Sequence, residues 1–194
     1  MTIQRKNVIS NIRIVMERRT YSICLFFLLF CITGIAQTSV KEITLLQGKL
    51  SINVPADFKE MSDRDFSLRY RMSKKPILIL TDERQQLNLI VENTKALCTR
   101  EQFNSYLDFQ LDSYKKEVPD LIVLEKGIIT SASGVPVGFM KLNFKSGEHL
   151  IFNYFFFTTV NDELIIFTVN FLDVLRIRYE KAIDEVLSSI KINP

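Results

Sequence analysis

His149-Leu-Ile-Phe-Asn-Tyr-Phe-Phe-Phe-Thr-Thr-Val160 is the stretch whose reading decides the fold. It is rich in aromatic and β-branched residues and holds neither Gly nor Pro, the composition of a packed, pleated strand. Asn161-Asp162 follows, a pair that tolerates positive φ and suits a two-residue hairpin turn. Leu164-Ile-Ile-Phe-Thr-Val-Asn-Phe171 is then the return strand. With Val160 opposite Glu163, strand alternation puts Phe152, Tyr154, Phe156, Ile165, Phe167, Val169 and Phe171 on one face. The other face carries Ile151, Phe155, Phe157, Leu164 and Ile166 among Asn153, Thr159, Thr168 and Asn170. Both faces are too apolar to lie bare in water. The hairpin is therefore expected at the centre of a sheet covered on two sides, with the aromatic face as the main core.

Past the hairpin, Asp173 reads as a helix N-cap. Leu175, Tyr179, Ala182, Ile183, Val186, Leu187 and Ile190 then recur with the spacing of a helix buried along one side. Such a helix forms because a sheet receives it: burial of the larger side chains returns roughly 1.5–3 kcal/mol each, against ~1–2 kcal/mol per residue for ordering the backbone.

Upstream, Val137–Phe144 and Leu121–Ile129 read as strands separated by Ser131-Ala-Ser-Gly134-Val-Pro. Thr99 caps a helix with Phe103, Tyr106, Leu107, Gln110, Leu111 and Tyr114 inward, ending before Pro119. Ile77–Thr81 and Leu87–Glu92 are strands joined by Asp82-Glu-Arg-Gln-Gln86. Ser62-Asp-Arg-Asp65 resembles a capping box opening a short helix to about Met72. Ile43–Leu46 and Lys49–Val54 form a strand pair about Gln47-Gly48, stopped by Pro55. The order β-β-α-β-β-α-β-β-β-β-α, with short turns between strands, implies an α+β fold: a mainly antiparallel sheet with helices on its faces.

The first 36 residues read as a leader outside the fold. Ile23–Ile35 is a thirteen-residue apolar run, preceded by Arg18-Arg19 and followed by small residues up to Ala36, the pattern of a secretory signal peptide. A membrane span needs about 20 apolar residues. Met16 before Glu-Arg-Arg is the more ordinary start, which would make residues 1–15 a mis-assigned beginning. Cys31 invites lipidation, but Phe30 precedes it where a small residue is wanted, so cleavage near Ala36 ranks first and an uncleaved anchor third. The leader holds Arg5, Lys6, Arg13, Arg18 and Arg19 against Glu17, leaving 20 of the 25 basic and 21 of the 22 acidic residues in a mature chain of 158. That near-neutral balance gives no basic stripe for nucleic acid. The length, residues 37–194, suits one domain. Only Cys98 remains of the three cysteines, expected buried before a helix start, with no disulfide or cysteine metal site.

Several of these stretches together resemble the PsbP/DcrB-like family: Leu50-Ser-Ile-Asn-Val-Pro-Ala-Asp-Phe58, Ile77-Leu-Ile-Leu-Thr-Asp82, Leu87-Asn-Leu-Ile-Val91, Gly134-Val-Pro-Val-Gly138 and the hairpin with Ile183-Asp-Glu-Val-Leu-Ser-Ser-Ile190. The resemblance covers nearly all of the mature chain and rests on structural motifs. Phe58 stands where such proteins often carry Trp, and Asp162 where a turn Gly is common. It implies an α/β/α sandwich around an antiparallel sheet, and roles as extrinsic subunits, envelope proteins and adaptors, with few enzymes. No functional residue of the family has a match to carry over.

Chemistry-bearing groups are sparse. His149, the lone histidine, opens a strand without a nucleophile or orienting carboxylate at hand, and one His with one mature Cys makes a zinc site a poor fit. Asp63 and Asp65 sit where they complement a helix start. Asp108 and Asp112 lie four apart on one helix, on the side away from its apolar face, and read as solvated. Asp82-Glu83 lacks the spaced oxygens of a calcium loop. Gly134-Val-Pro-Val-Gly138 is a turn between strands rather than a phosphate cradle. Arg69-Tyr-Arg71 through Lys74-Lys75 is the one local charge imbalance, read as a solvated loop ahead of a docking patch. Catalytic, cofactor and metal residues are thus expected to be absent. The expectation is an exported, non-catalytic binding or accessory protein of the bacterial envelope, periplasmic or extracellular, acting through protein contacts. Its first alternative is a carrier of a small hydrophobic ligand in a polar-lined gap between sheet and helix. The last is a hydrolase using Asp108 and Asp112 alone.

Overall fold

The computed structural model describes residues 39–70 and 75–193. Among the described residues ten strands and three helices follow one another as β1 (Val40–Leu45), β2 (Leu50–Pro55), β3 (Lys59–Glu60), α1 (Asp63–Arg69), β4 (Leu78–Thr81), β5 (Asn88–Leu97), α2 (Phe103–Glu117), β6 (Ile122–Thr130), β7 (Pro136–Ser146), β8 (His149–Val160), β9 (Glu163–Leu172), α3 (Arg176–Ser188) and β10 (Lys191–Ile192). The fold is α+β, with a fully antiparallel seven-stranded sheet in the order β3-β4-β5-β9-β8-β7-β6. The organising hairpin β8–β9 lies inside it. Val160 pairs with Glu163, and Asn161 and Asp162 make the turn at φ 52° and 61°. The side-chain alternation is therefore the one expected from sequence.

One departure concerns the first strand pair. β1 and β2 do not join the large sheet; with β10 they form a separate three-stranded sheet, β1-β2-β10. β2 is apolar along its buried side through Leu50, Ile52 and Val54, and these pack with Tyr179, Ile183, Val186 and Leu187 of α3. The small sheet and α3 thus share the work of covering the aromatic face, where Phe156 and Phe167 stack at 4.8 Å and 9°.

The opposite face divides in two. α2 lays Phe103, Leu107 and Leu111 over Met140, Leu142, Phe157 and Leu164. α1 lays Phe66 over Met61, Ile79 and Ile90. Phe157 meets Phe103 and Tyr106 edge-on and lies across Gly138, whose position a Cβ could not share without displacing that ring. Of the expected turn Gly134–Gly138, only Gly134 (φ 81°) is in the turn; Gly138 stands within β7.

Helix starts follow local chemistry with one correction. Ser62 caps α1, its hydroxyl accepting from the Asp65 amide at 3.1 Å. The Thr99 amide donates to Gln102 Oε1 at 2.8 Å ahead of α2. Asp173, expected as an N-cap, is instead the first residue of a 3-10 turn, Asp173–Leu175, that leads into α3. Its carboxylate faces Arg176 at 3.7 Å rather than a backbone amide. α1 ends at Arg69, short of Met72, and β5 runs on through a bulge to Leu97. The leader features, Cys31 and Ala36 among them, lie outside the described residues, as do Arg71 and Lys74 of the basic stretch.

Candidate functional site

β7 presents alternate residues to the aromatic face, and one of them is a lysine. Lys141 follows Phe139 by two positions and is only 8% exposed, with its ammonium beneath α3. Nζ stands 2.9 Å from Glu180, 3.2 Å from Asp184 and 3.3 Å from Glu125. It also lies 4.9 Å from the centre of the Tyr154 ring, a cation–π contact. The Tyr154 hydroxyl donates to Asp184 at 3.0 Å. Arg176 reaches the far oxygen of Glu180 at 3.7 Å. A hollow of about 230 Å³ opens beside this group, walled by Ile129, Phe139, Leu187 and Ser188 as well as the charged residues.

The electrostatics decide what this cluster can do. Burial alone would push the Lys141 ammonium down, but the Glu180 hydrogen bond and the Asp184 carboxylate carry it above its ordinary value. Burial and then the Asp184 charge push Tyr154 up. Both therefore hold their protons at neutral pH, and neither serves as a base or nucleophile. What remains is an electrostatic clamp that fixes α3 to β6, β7 and β8. The adjoining hollow is below the ~300 Å³ usual for a small-ligand pocket, and its charged walls do not suit a hydrophobic guest.

A second buried ionic group sits on the other flank of α3. Asp82, 4% exposed, accepts from the amides of Gln86 at 2.6 Å and Leu87 at 2.9 Å and from the Tyr179 hydroxyl at 2.8 Å. Burial would raise its carboxyl, but the Leu87 amide, the Tyr179 hydroxyl and the Gln86 amide outweigh it and hold the group below its ordinary value. Asp82 thus shapes the β4–β5 loop and ties it to the last helix. Its neighbour Glu83 faces outward to Lys59 at 3.3 Å.

The other residues singled out from sequence are not brought together. His149 is exposed at the start of β8, opposite Ser146 in register, and Glu148 is exposed in the preceding turn. Asp108 and Asp112 are exposed on α2, with Asp108 paired to Lys126 of β6. Asp63 pairs with Lys75, and Asp65 accepts from Ser62 at 2.8 Å. Arg69 donates to Gln85, so the described part of the basic stretch is engaged locally. Cys98 is buried and its thiol is pushed up by burial. The polar positions on the second hairpin face form a row: Asn153, Asn170 and Asn88 are neighbours across β8, β9 and β5. Asn88 donates to Asn170 at 3.3 Å, and Asn153 to the Ile151 carbonyl at 3.0 Å.

Lys141 drew no attention in the sequence, and Asp82 was weighed there only as part of a calcium loop. The signal for Lys141 was present: with Phe139 it shares the parity of an inward-facing stripe, where a lone lysine demands carboxylates.

These layers and this order of strands have counterparts. The DcrB family model matches residues 50–189. The chain belongs to the DcrB family. The DcrB-family chain is also similar in structure to cyanobacterial PsbP (CyanoP) from Synechocystis sp. PCC 6803, at 11% identity over 82% of this chain and 96% of that one, with a TM-score of 0.57. LpqN of Mycobacterium tuberculosis, described as involved in cell envelope biogenesis, aligns at 12% identity over 80% of this chain and 91% of that one, TM-score 0.51. At such identities the likeness is one of fold. No curated protein matches the chain by sequence.

Proposed function

We propose that this DcrB-family chain is an exported accessory protein of the bacterial cell envelope that binds another envelope protein and performs no chemistry of its own. The observation that carries the reading is a short run of bare aliphatic side chains where the chain leaves β9 and enters α3. Ile177 is 98% exposed, Val174 81% and Leu172 39%. The sheet itself is covered on both faces, so these side chains have no part in closing its core. Exposed aliphatic groups concentrated in one place mark contact surfaces. Export is supported by the apolar run Ile23–Ile35 between Arg18-Arg19 and Ala36. An envelope role is supported by the shared fold with LpqN.

The test is affinity capture from envelope extract with the parent protein and with Val174→Asp/Ile177→Asp, both checked for folding by circular dichroism. The parent is expected to retain a reproducible partner that the folded variant loses. Equal recovery by both, or recovery of nothing by the parent, overturns the reading.

A further inference from the structure

At the end of the sheet away from those aliphatic residues, three segments converge around a hollow of about 440 Å³. They are the 3-10 turn after β1, the bulge in β5 and the β8–β9 turn. This volume lies within the ~300–1,000 Å³ range of small-molecule sites. Gln47, Asn93 and Asn161 contribute amide groups, Lys49 and Lys95 ammonium groups, and Glu163 a carboxylate. Leu46 and Val160 supply the apolar part of the lining.

The polar groups are held in place. Asn93 is 7% exposed; its Nδ2 donates to Glu163 at 2.7 Å and its Oδ1 accepts from the Lys95 amide at 2.9 Å. Lys95 Nζ donates to the same Glu163 oxygen at 2.9 Å. Two donors therefore orient the carboxylate, and Lys49 leaves the hollow with one positive charge in excess.

The backbone adds a second observation. Leu46, Gln47, Lys95 and Asn161, with neighbouring Asp162, lie at φ between 52° and 62°; among the described residues the only other non-glycine there is Gln85. Left-handed backbone is disfavoured for side-chain-bearing residues, most of all for a bulky one such as Leu46, and glycine adopts it freely, as Gly48 does next door at 93°. Asn161 and Asp162 take this backbone as a hairpin turn and Leu46 packs against the main core, but Gln47 and Lys95 have neither reason, and both line the hollow.

We propose that this hollow binds a small acidic sugar, a hydroxyl-rich ring bearing one carboxylate. Amides pair a donor with an acceptor, which suits adjacent hydroxyls, and the oriented Glu163 accepts from another. Lys49 takes the ligand carboxylate in a charge-assisted contact. The half-buried side chain of Leu46 meets the C–H face of the ring. The site goes beyond the accessory reading and stands independently of it, since it uses none of the aliphatic residues at the far end.

The test is titration of the full chain, followed by amide NMR shifts, with sodium glucuronate, glucose and sodium acetate at matched ionic strength. Glucuronate is expected to give saturable shifts confined to residues 46–49, 93–95 and 160–163, at least tenfold tighter than glucose, with acetate giving none that saturate. Lys49→Met should weaken glucuronate at least tenfold and leave glucose unchanged. Gln47→Gly and Asn161→Gly keep the backbone and remove the side chains, so binding should fall at least fivefold while Tm stays level or rises. The proposal is overturned by absent or scattered glucuronate shifts, by acetate reproducing them, or by glycine variants that bind as the parent does.

Discussion

The two faces of the seven-stranded sheet are built to different rules. The face toward α3 carries one continuous apolar core beside the Lys141 ion cluster, with Phe152, Phe156 and Phe167 fully enclosed and the small sheet closing it from β2. The face toward α1 and α2 holds two separate apolar groups, and an asparagine row crosses three of its strands. The difference teaches where stability resides. A continuous aromatic core returns more per truncated side chain than a small group with partly exposed neighbours.

The sharpest way to break that comparison is a pair of truncations read by urea denaturation. Phe156→Ala should destabilise by about 3–5 kcal/mol, and Ile90→Ala in the small group under α1 by about 2 kcal/mol. Equal losses would mean that the faces contribute alike. Next in size, Lys141→Met removes the central, buried cation of a three-carboxylate cluster. Loss of a partner from a fully buried pair amounts to about 3–5 kcal/mol, and the partly exposed carboxylates here reduce the expectation to about 2 kcal/mol. Because folding raises the Lys141 pKa, its contribution is complete below the ordinary lysine value of about 10.4 and is lost as pH rises through the higher folded value. Thermal melts across the alkaline range should therefore show the parent converging on the variant.

On the other face, Gly138→Ala forces the Phe157 ring aside and should lose about 1–3 kcal/mol. In a Phe157→Ala background the same change should be close to neutral, and a double-mutant cycle measures that coupling. The smallest effect is expected from Asp82→Asn, about 1 kcal/mol at neutral pH. Folding lowers the Asp82 pKa, so its contribution is complete above the ordinary carboxylate value of about 4 and is lost as pH falls through the lower folded value. Melts of the parent should lose stability across that acidic span, and those of Asp82→Asn should be flatter.

What was legible in the sequence was whatever depends on near neighbours. The register of β8 and β9 follows from period-two alternation and a turn dipeptide, and the buried stripes of α2 and α3 from helical spacing. What was not legible depends on distant partners. Asp82 looks like any turn aspartate until Tyr179, 97 positions later, places a hydroxyl on it. The departure of β1 and β2 from the large sheet turns on β10, a strand of two residues with no pattern of its own. Asp173 fits the N-cap preference, yet the chain leaves β9 through a 3-10 turn and its carboxylate meets Arg176 instead. The hollow at the hairpin tip draws on residues 46–49, 93–95 and 160–163, none of which forms a motif alone.

The position of β9 also governs how the chain assembles. Among the described residues it is the last long strand of the sheet to be synthesised, yet it lies between β5 and β8, so nothing earlier in the sheet bridges its two halves. β10 then pairs with β2, and the Asn193 amide donates to Lys49. A nascent polypeptide that has not yet been made through β9 therefore has no completed seven-stranded sheet to fold into, and native structure waits for that strand. A newly made molecule that stays open this long can still be threaded through a narrow pore.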